Sequence, residues 1–154
     1  MSIQIVLGSK SDMKVAEKAV AVLKELGVKY KLNVASAHRT PEIVDKLVAE
    51  ADAEVFIAIA GLSAALPGVI AARTMKPVIG VPVSGPLNLD AILSVVQMPP
   101  GIPVAAVGLD RGENAALLAA AIIALKDAKV AGALKQYRQK LKDNVIQDSK
   151  EVEV

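Results

Sequence analysis

Val55-Phe56-Ile57-Ala58-Ile59-Ala60, followed at once by Gly61-Leu62-Ser63-Ala64-Ala65-Leu66-Pro67-Gly68, is the stretch that decides the fold. Its first part has the length of a strand and is apolar at every position. A strand with no polar face is covered on both sides, as in a parallel sheet with helices packed above and below. The small residues after it turn the chain into a helix expected to start near Ser63. Further runs of strand length, mostly β-branched and most of them not strictly alternating, recur at 3–7, 30–34, 78–83 and 104–107. Between the first two, Ala16, Ala19, Val20, Leu23 and Leu26 repeat at helical spacing over 11–26, and Gly27 ends that helix. Thr40 as N-cap and Pro41 at the first helical position open another, to about residue 50. Further helices are expected near Asn88 and near Gly112. Strand and helix alternate throughout, which predicts a doubly wound α/β sheet.

A chain of 154 residues, 53% hydrophobic and 22% charged, fits one globular domain spanning 1–154. Its net charge of +2 is too small to indicate nucleic acid, and its aromatic residues, Tyr30, Phe56 and Tyr137, do not interleave with basic ones. There is no cysteine, hence no disulfide framework and no thiolate metal site. Nor do His, Asp and Glu recur at metal-ligand spacing, so no metal is expected. The opening apolar run is too short for a signal peptide and lacks a basic flank. Gly, Pro or charge interrupts every apolar stretch before it reaches bilayer length. These features predict a soluble, cytoplasmic protein with no membrane partner.

The segment 127–148 differs from the rest. It is dense in Lys, Gln and Asp, with one apolar seam through Val130, Leu134, Tyr137, Leu141 and Val145. Such a stripe packs either on the chain's own body or on a neighbouring subunit.

In an open parallel sheet, ligands bind beyond the carboxyl ends of the strands. The residues there are Gly8-Ser9-Lys10-Ser11-Asp12, Ser36-Ala37-His38-Arg39-Thr40-Pro41, the segment 61–68, Ser84-Gly85-Pro86-Leu87-Asn88 and Gly108-Leu109-Asp110-Arg111-Gly112. Small, polar and glycine residues therefore gather along one edge. In the first loop, Gly8 permits close backbone approach, Ser9 and Ser11 bring hydroxyls, and the following helix offers free N–H groups to an anion. The loop is not a phosphate-cradling Walker loop, because the Gly-Lys-Ser/Thr ending is missing. Asp12 either accepts ribose hydroxyls or only favours the helix dipole.

His38 is the chain's single histidine, and its unperturbed pKa near 6.5 suits proton transfer at neutral pH. It follows a strand, precedes a helix start and stands beside Arg39, whose planar fork of donors matches a phosphate. The plainer reading of Arg39 is a surface cation. Ser36 shares the loop, and Gly61 and Ser63 belong either to a close-fitting wall or to ordinary strand-to-helix packing. Ser84-Gly85-Pro86 is placed to act as a flap. Gln97-Met98-Pro99-Pro100-Gly101 serves as a rigid connection or as part of the wall.

Gly8-Ser9-Lys10-Ser11-Asp12, Ser36-Ala37-His38-Arg39-Thr40-Pro41, Leu66-Pro67-Gly68, Pro77-Val78-Ile79-Gly80-Val81-Pro82-Val83, Val96-Gln97-Met98-Pro99 and Asn114-Ala115-Ala116-Leu117-Leu118-Ala119 together resemble the PurE family of purine biosynthesis, in order and spacing. The resemblance implies a flavodoxin-like three-layer α-β-α sandwich with an extra C-terminal helix. It also implies a homo-octamer with sites near subunit interfaces, and no metal or organic cofactor. The product would be carboxyaminoimidazole ribonucleotide. Its carboxyl comes either from CO2, added directly to aminoimidazole ribonucleotide, or from the exocyclic nitrogen of N-carboxyaminoimidazole ribonucleotide by a mutase. Position by position, the resemblance makes His38 the proton shuttle and Ser9, Asp12 and Arg39 ribonucleotide ligands. Ser11, Ser36, Gly61 and Ser63 stand with them as candidate substrate-binding residues.

One position departs from the mutase pattern. Ala65 stands where that form usually has a second histidine, just before Leu66-Pro67-Gly68. The segment 60–66 is closer to the direct carboxylase, whereas His38-Arg39 and Pro67-Gly68 match the mutase. On this balance direct carboxylation is the expected activity. A non-catalytic nucleotide- or flavin-binding module on the same fold is the more distant alternative. The loops contain no aromatic residue on which a flavin would stack.

Overall fold

The computed structural model describes residues 1–152. Along the chain come β1 (Ser2–Leu7), a 3-10 turn (Lys10–Asp12), α1 (Met13–Glu25), β2 (Lys29–Val34) and α2 (Pro41–Glu50). Then follow β3 (Val55–Ala60), α3 (Leu66–Ala71), β4 (Val78–Pro82), α4 (Asn88–Val96), β5 (Ala105–Ala106), α5 (Gly112–Ala124) and α6 (Ala128–Val152). All strand pairs are parallel, in the order β2-β1-β3-β4-β5. This is the flavodoxin-like order, and the chain reverses its direction of winding between β1 and β3.

The central strands feed two cores by simple alternation. Ile3, Ile5 and Leu7 of β1, Val55, Ile57 and Ile59 of β3, and Ile79 and Val81 of β4 face α1, α5 and the start of α6. Val6, Phe56, Ala58, Ala60 and Val78 face the layer made by α2, α3 and α4. Two-sided burial, expected of the runs that do not alternate, holds for the central three strands and fails at β5. β2 alternates between half-buried and exposed positions, and the two residues of β5 are exposed. Edge strands have one neighbour, so their outer face meets no second layer here. The fifth strand is also shorter than the run 104–107.

Helix boundaries follow local chemistry. Gly27 sits at φ +67, and Val28 N–H closes back on the Leu23 carbonyl at 2.9 Å, ending α1 in the left-handed conformation glycine tolerates best. Gly112 lets α5 lie directly against α1, since a Cβ there would fall 2.1 Å from the Val15 carbonyl oxygen. The helix expected near Ser63 starts later, at Leu66, with Pro67 in its first turn. Thr40 precedes α2 as expected but does not cap it with its side chain. Its hydroxyl turns back to Ser36, accepting from the Ser36 N–H at 2.9 Å and donating to the Ser36 carbonyl at 3.3 Å. That clasp shapes the histidine loop.

α6 outruns the expected 127–148. Asp127 caps it by accepting the N–H groups of Lys129 and Val130. Val130, Ala133, Leu134 and Tyr137 pack on the chain's own core, and Lys140 pairs with Glu25 at 2.8 Å. Beyond that point Leu141, Val145 and Ile146 of the helix are exposed. Among the described residues no helix is long and apolar enough to cross a membrane.

Candidate active site

The ends of β1, β2, β3 and β4 open into one cleft of about 470 Å³, within the size range of small-molecule sites. It lies where the winding direction reverses. Every candidate site residue of the sequence lines it: Ser9, Ser11, Asp12, Ser36, His38, Arg39, Gly61 and Ser63. Ser84-Gly85-Pro86 forms a further wall, and Ala65 contributes to the lining. The segment 97–101 does not reach the cleft. Met98 instead packs against Gly68, so this stretch serves as a connection. A larger hollow, about 650 Å³, lies at the opposite end of the sheet, around Met75 and Ile102. Its basic residues are already engaged, Arg73 with Asp45 and Lys76 with the Ala51 carbonyl.

The first loop closes on itself. The Ser9 hydroxyl oxygen accepts the Ser11 N–H at 3.3 Å, and the Asp12 carboxylate accepts the Ser9 N–H at 2.9 Å. This reciprocal capping box precedes α1. It corrects the expectation of a helix end open to an anion. The N–H groups of Ser9, Ser11 and Asp12 are already taken within the loop. The hydroxyl hydrogen of Ser9 and the spare lone pairs of Asp12 remain on offer, with the Lys10 N–H beside them. Asp12 is thus more than a residue favouring the helix dipole, because its carboxylate holds the loop together at the floor of the cleft. Burial pushes its carboxyl above the ordinary range, while the Ser9 N–H, the Ser11 hydroxyl and the Arg39 guanidinium pull the other way.

Arg39 spans the mouth. Its Nη2 donates to the Gly8 carbonyl at 3.2 Å and its Nε to the Ser36 hydroxyl at 3.3 Å. The guanidinium therefore ties the loop after β1 to the loop after β2, and these bonds use only part of its donor fork. His38 and Arg39 are exposed, whereas Asp12 is 6% exposed. An imidazole at the rim, a cation beside it and a buried carboxyl group at the floor suit an anionic, hydroxylated ligand. Asp110, in the segment 108–112 expected at the strand ends, lies outside the cleft yet bonds to its wall. That position was its signal in the sequence.

A family model described as AIR carboxylase matches residues 2–144. The N5-carboxyaminoimidazole ribonucleotide mutase of Methanocaldococcus jannaschii is 60% identical over 149 residues, covering 96% of this chain and 95% of that protein. A probable N5-carboxyaminoimidazole ribonucleotide mutase of Methanobrevibacter smithii is 48% identical over 97% of this chain. The chain spans only 45% of that relative's length. Among solved structures, the crystal structure of Treponema denticola PurE matches with a TM-score of 0.89 at 33% identity, covering 99% of both chains.

Proposed function

Because the chain belongs to the AIR carboxylase family, we propose that it is a purine-biosynthesis enzyme, the mutase that moves the carboxyl of N5-carboxyaminoimidazole ribonucleotide from the exocyclic nitrogen to the ring carbon. The observation that carries this reading is the gathering of His38, Arg39, Ser9 and Asp12 in one cleft in a chain so close to a protein named as that mutase. The sequence preference for direct carboxylation rested on Ala65, and the relatives' names weigh against it. Ala65 lines the cleft, but the missing second imidazole is no obstacle to a mutase.

The proton count explains why. Breaking the nitrogen–carboxyl bond releases CO2 and requires a proton on the nitrogen. The electron-rich ring carbon then attacks CO2, forms the new carbon–carbon bond and briefly carries both hydrogen and carboxylate. Removing that proton restores the aromatic ring. One proton is given and one is taken, so a single imidazole at His38 starts and ends the cycle in the same state. In this reading Arg39 and Ser9 hold the phosphate, Asp12 accepts ribose hydroxyls, and Ser11, Ser36, Gly61 and Ser63 complete the wall.

The exposure of His38 and Arg39 in a single chain supports an assembly in which neighbouring copies cover the site, the homo-octamer of the resemblance. Leu141, Val145 and Ile146 on the free half of α6 are assigned to docking on a neighbour. A chain ending after Lys140 keeps the packed half of α6 and should assemble with fewer subunits than the parent; an unchanged number of subunits would remove the docking role. The absence of cysteine and the nucleotide substrate fit a cytoplasmic enzyme.

The test is turnover of each substrate separately by the purified chain. The expected result is conversion of N5-carboxyaminoimidazole ribonucleotide without added bicarbonate, with His38→Asn binding ribonucleotide but not turning it over. Bicarbonate-dependent use of aminoimidazole ribonucleotide as the faster reaction would establish the carboxylase instead. A His38→Asn variant of near-normal rate would remove the proton-shuttle role.

A further inference from the structure

The wall Ser84-Gly85-Pro86 is exposed and follows the last residue of β4. Little apolar packing holds it, yet its backbone is pinned at consecutive positions. Val83 N–H donates to the Ala60 carbonyl at 3.0 Å, which keeps it in register with β3. Gly85 N–H donates to Asn88 Oδ1 at 2.9 Å, at the start of α4. Between them, Ser84 N–H donates to Asp110 Oδ1 at 2.8 Å.

Asp110 returns the contact. Its own N–H donates to the Pro82 carbonyl at 2.9 Å, so Pro82 and Ser84 are clasped from both ends of one residue. The sheet ladder stops at β5, and the Asp110 side chain stands in for the strand residue that would otherwise hold Ser84. To do so Asp110 adopts φ +59, the left-handed region, which Asp and Asn visit more readily than other side chains. Its carbonyl accepts Lys18 Nζ at 3.0 Å. Lys18 lies on α1, the helix that begins from the capped loop holding Ser9 and Asp12. One residue outside the cleft thus connects two of its walls.

We propose that Asp110 is a positioning residue for the substrate site, setting the Ser84-Gly85-Pro86 wall at the distance a bound ribonucleotide requires. The substrate part of this statement rests on the function proposed above; the clasp does not. His38 lies on another loop and has no bond to Asp110, so the wall acts on binding and leaves the proton transfer alone. A carboxylate accepting an N–H is a charge-assisted bond, stronger than a neutral one.

The experiment compares Asp110→Gly, which keeps the left-handed backbone and loses the acceptor, with Asp110→Asn, which keeps both. Amide exchange at Ser84 in the ligand-free chain reads the clasp. KM and kcat for N5-carboxyaminoimidazole ribonucleotide, with equilibrium binding of aminoimidazole ribonucleotide, read the site. Asp110→Gly should exchange faster at Ser84 and weaken KM and affinity about tenfold, the scale of a hydrogen bond to a charged group. Its kcat should stay within about threefold of the parent. Asp110→Asn, a neutral acceptor, should restore most but not all of both readouts. Unchanged exchange at Ser84 in Asp110→Gly would overturn the clasp. Unchanged KM, or a fall in kcat at constant KM, would overturn the positioning role. A parent chain that turns over neither ribonucleotide would count against the proposed function, while exchange at Ser84 would still decide the clasp.

Discussion

Replacing Arg39 by alanine separates a structural suture from a ligand contact, because the two have different magnitudes. The substitution removes the bonds from Nη2 to the Gly8 carbonyl at 3.2 Å and from Nε to the Ser36 hydroxyl at 3.3 Å. Both are long and exposed, so each lies at the low end of the range of about 0.5–1.5 kcal/mol for a net hydrogen bond. The expected loss of folding stability is about 1 kcal/mol or less. A guanidinium–phosphate contact is charge-assisted and contributes about 1.5–3 kcal/mol, or roughly 10- to 150-fold in Kd. Urea unfolding measures the first quantity, and calorimetric titration with aminoimidazole ribonucleotide measures the second. Arg39→Ala should therefore bind at least about tenfold more weakly while its urea midpoint barely moves. Arg39→Lys should recover only part of the affinity, since an ammonium keeps the charge and loses the fork. An affinity unchanged within about threefold, or a stability loss larger than the binding loss, would show that Arg39 only joins two loops.

Asp12 makes a prediction about pH. Burial raises its folded carboxyl above the usual value of 3.8, so the folded chain holds that proton to higher pH than the unfolded chain does. Its contribution to stability is fully present below that usual value and is lost as pH rises through the raised one. The stability difference between the parent and Asp12→Asn, followed by urea unfolding, should therefore move against the parent as pH rises across this window and then level off. A difference that moves in the parent's favour would mean that hydrogen bonding outweighs burial. Gly112→Ala tests the helix contact behind the site. Its Cβ would meet the Val15 carbonyl oxygen at 2.1 Å, and backbone cannot swing aside as a flexible side chain does. Overpacking of this kind costs about 1–3 kcal/mol or more, against a helix-propensity gain of at most about 1 kcal/mol. A net loss near 2 kcal/mol is expected, or a melting point lower by roughly 4–8 °C; an unchanged melting point would mean that α1 and α5 separate freely.

The alternation of strand and helix and the position of the loops were legible because they depend on local signals. Uniformly apolar runs mark strands covered on both faces, Gly27 marks a left-handed helix end, and polar or small residues mark the strand ends where ligands collect. The expected site residues came together for that reason: in a parallel sheet, all those ends lie on one edge. His38, the only histidine, needed no structure to be singled out.

Tertiary structure decided what depends on contacts between distant residues. The apolar run 104–107 carries no sign of being an edge, and β5 lacks the cover expected of it, whereas the alternation of Tyr30, Lys31, Leu32, Asn33 and Val34 already matches the one open face of β2. Cap chemistry was legible as residue types but not as partners, and Thr40 turned to Ser36 while Asp12 closed on Ser9. The same limit hid the contact of Asp110, which is 26 residues from Ser84 in sequence and 2.8 Å from it in space. By itself the sequence determined the fold class and the chemical content of the cleft, because both follow from local pattern and parallel topology. Only the folded chain decided which donors are already spent, which strands are bare and which residue holds the wall, because a hydrogen bond is a property of two positions that chain order does not bring together.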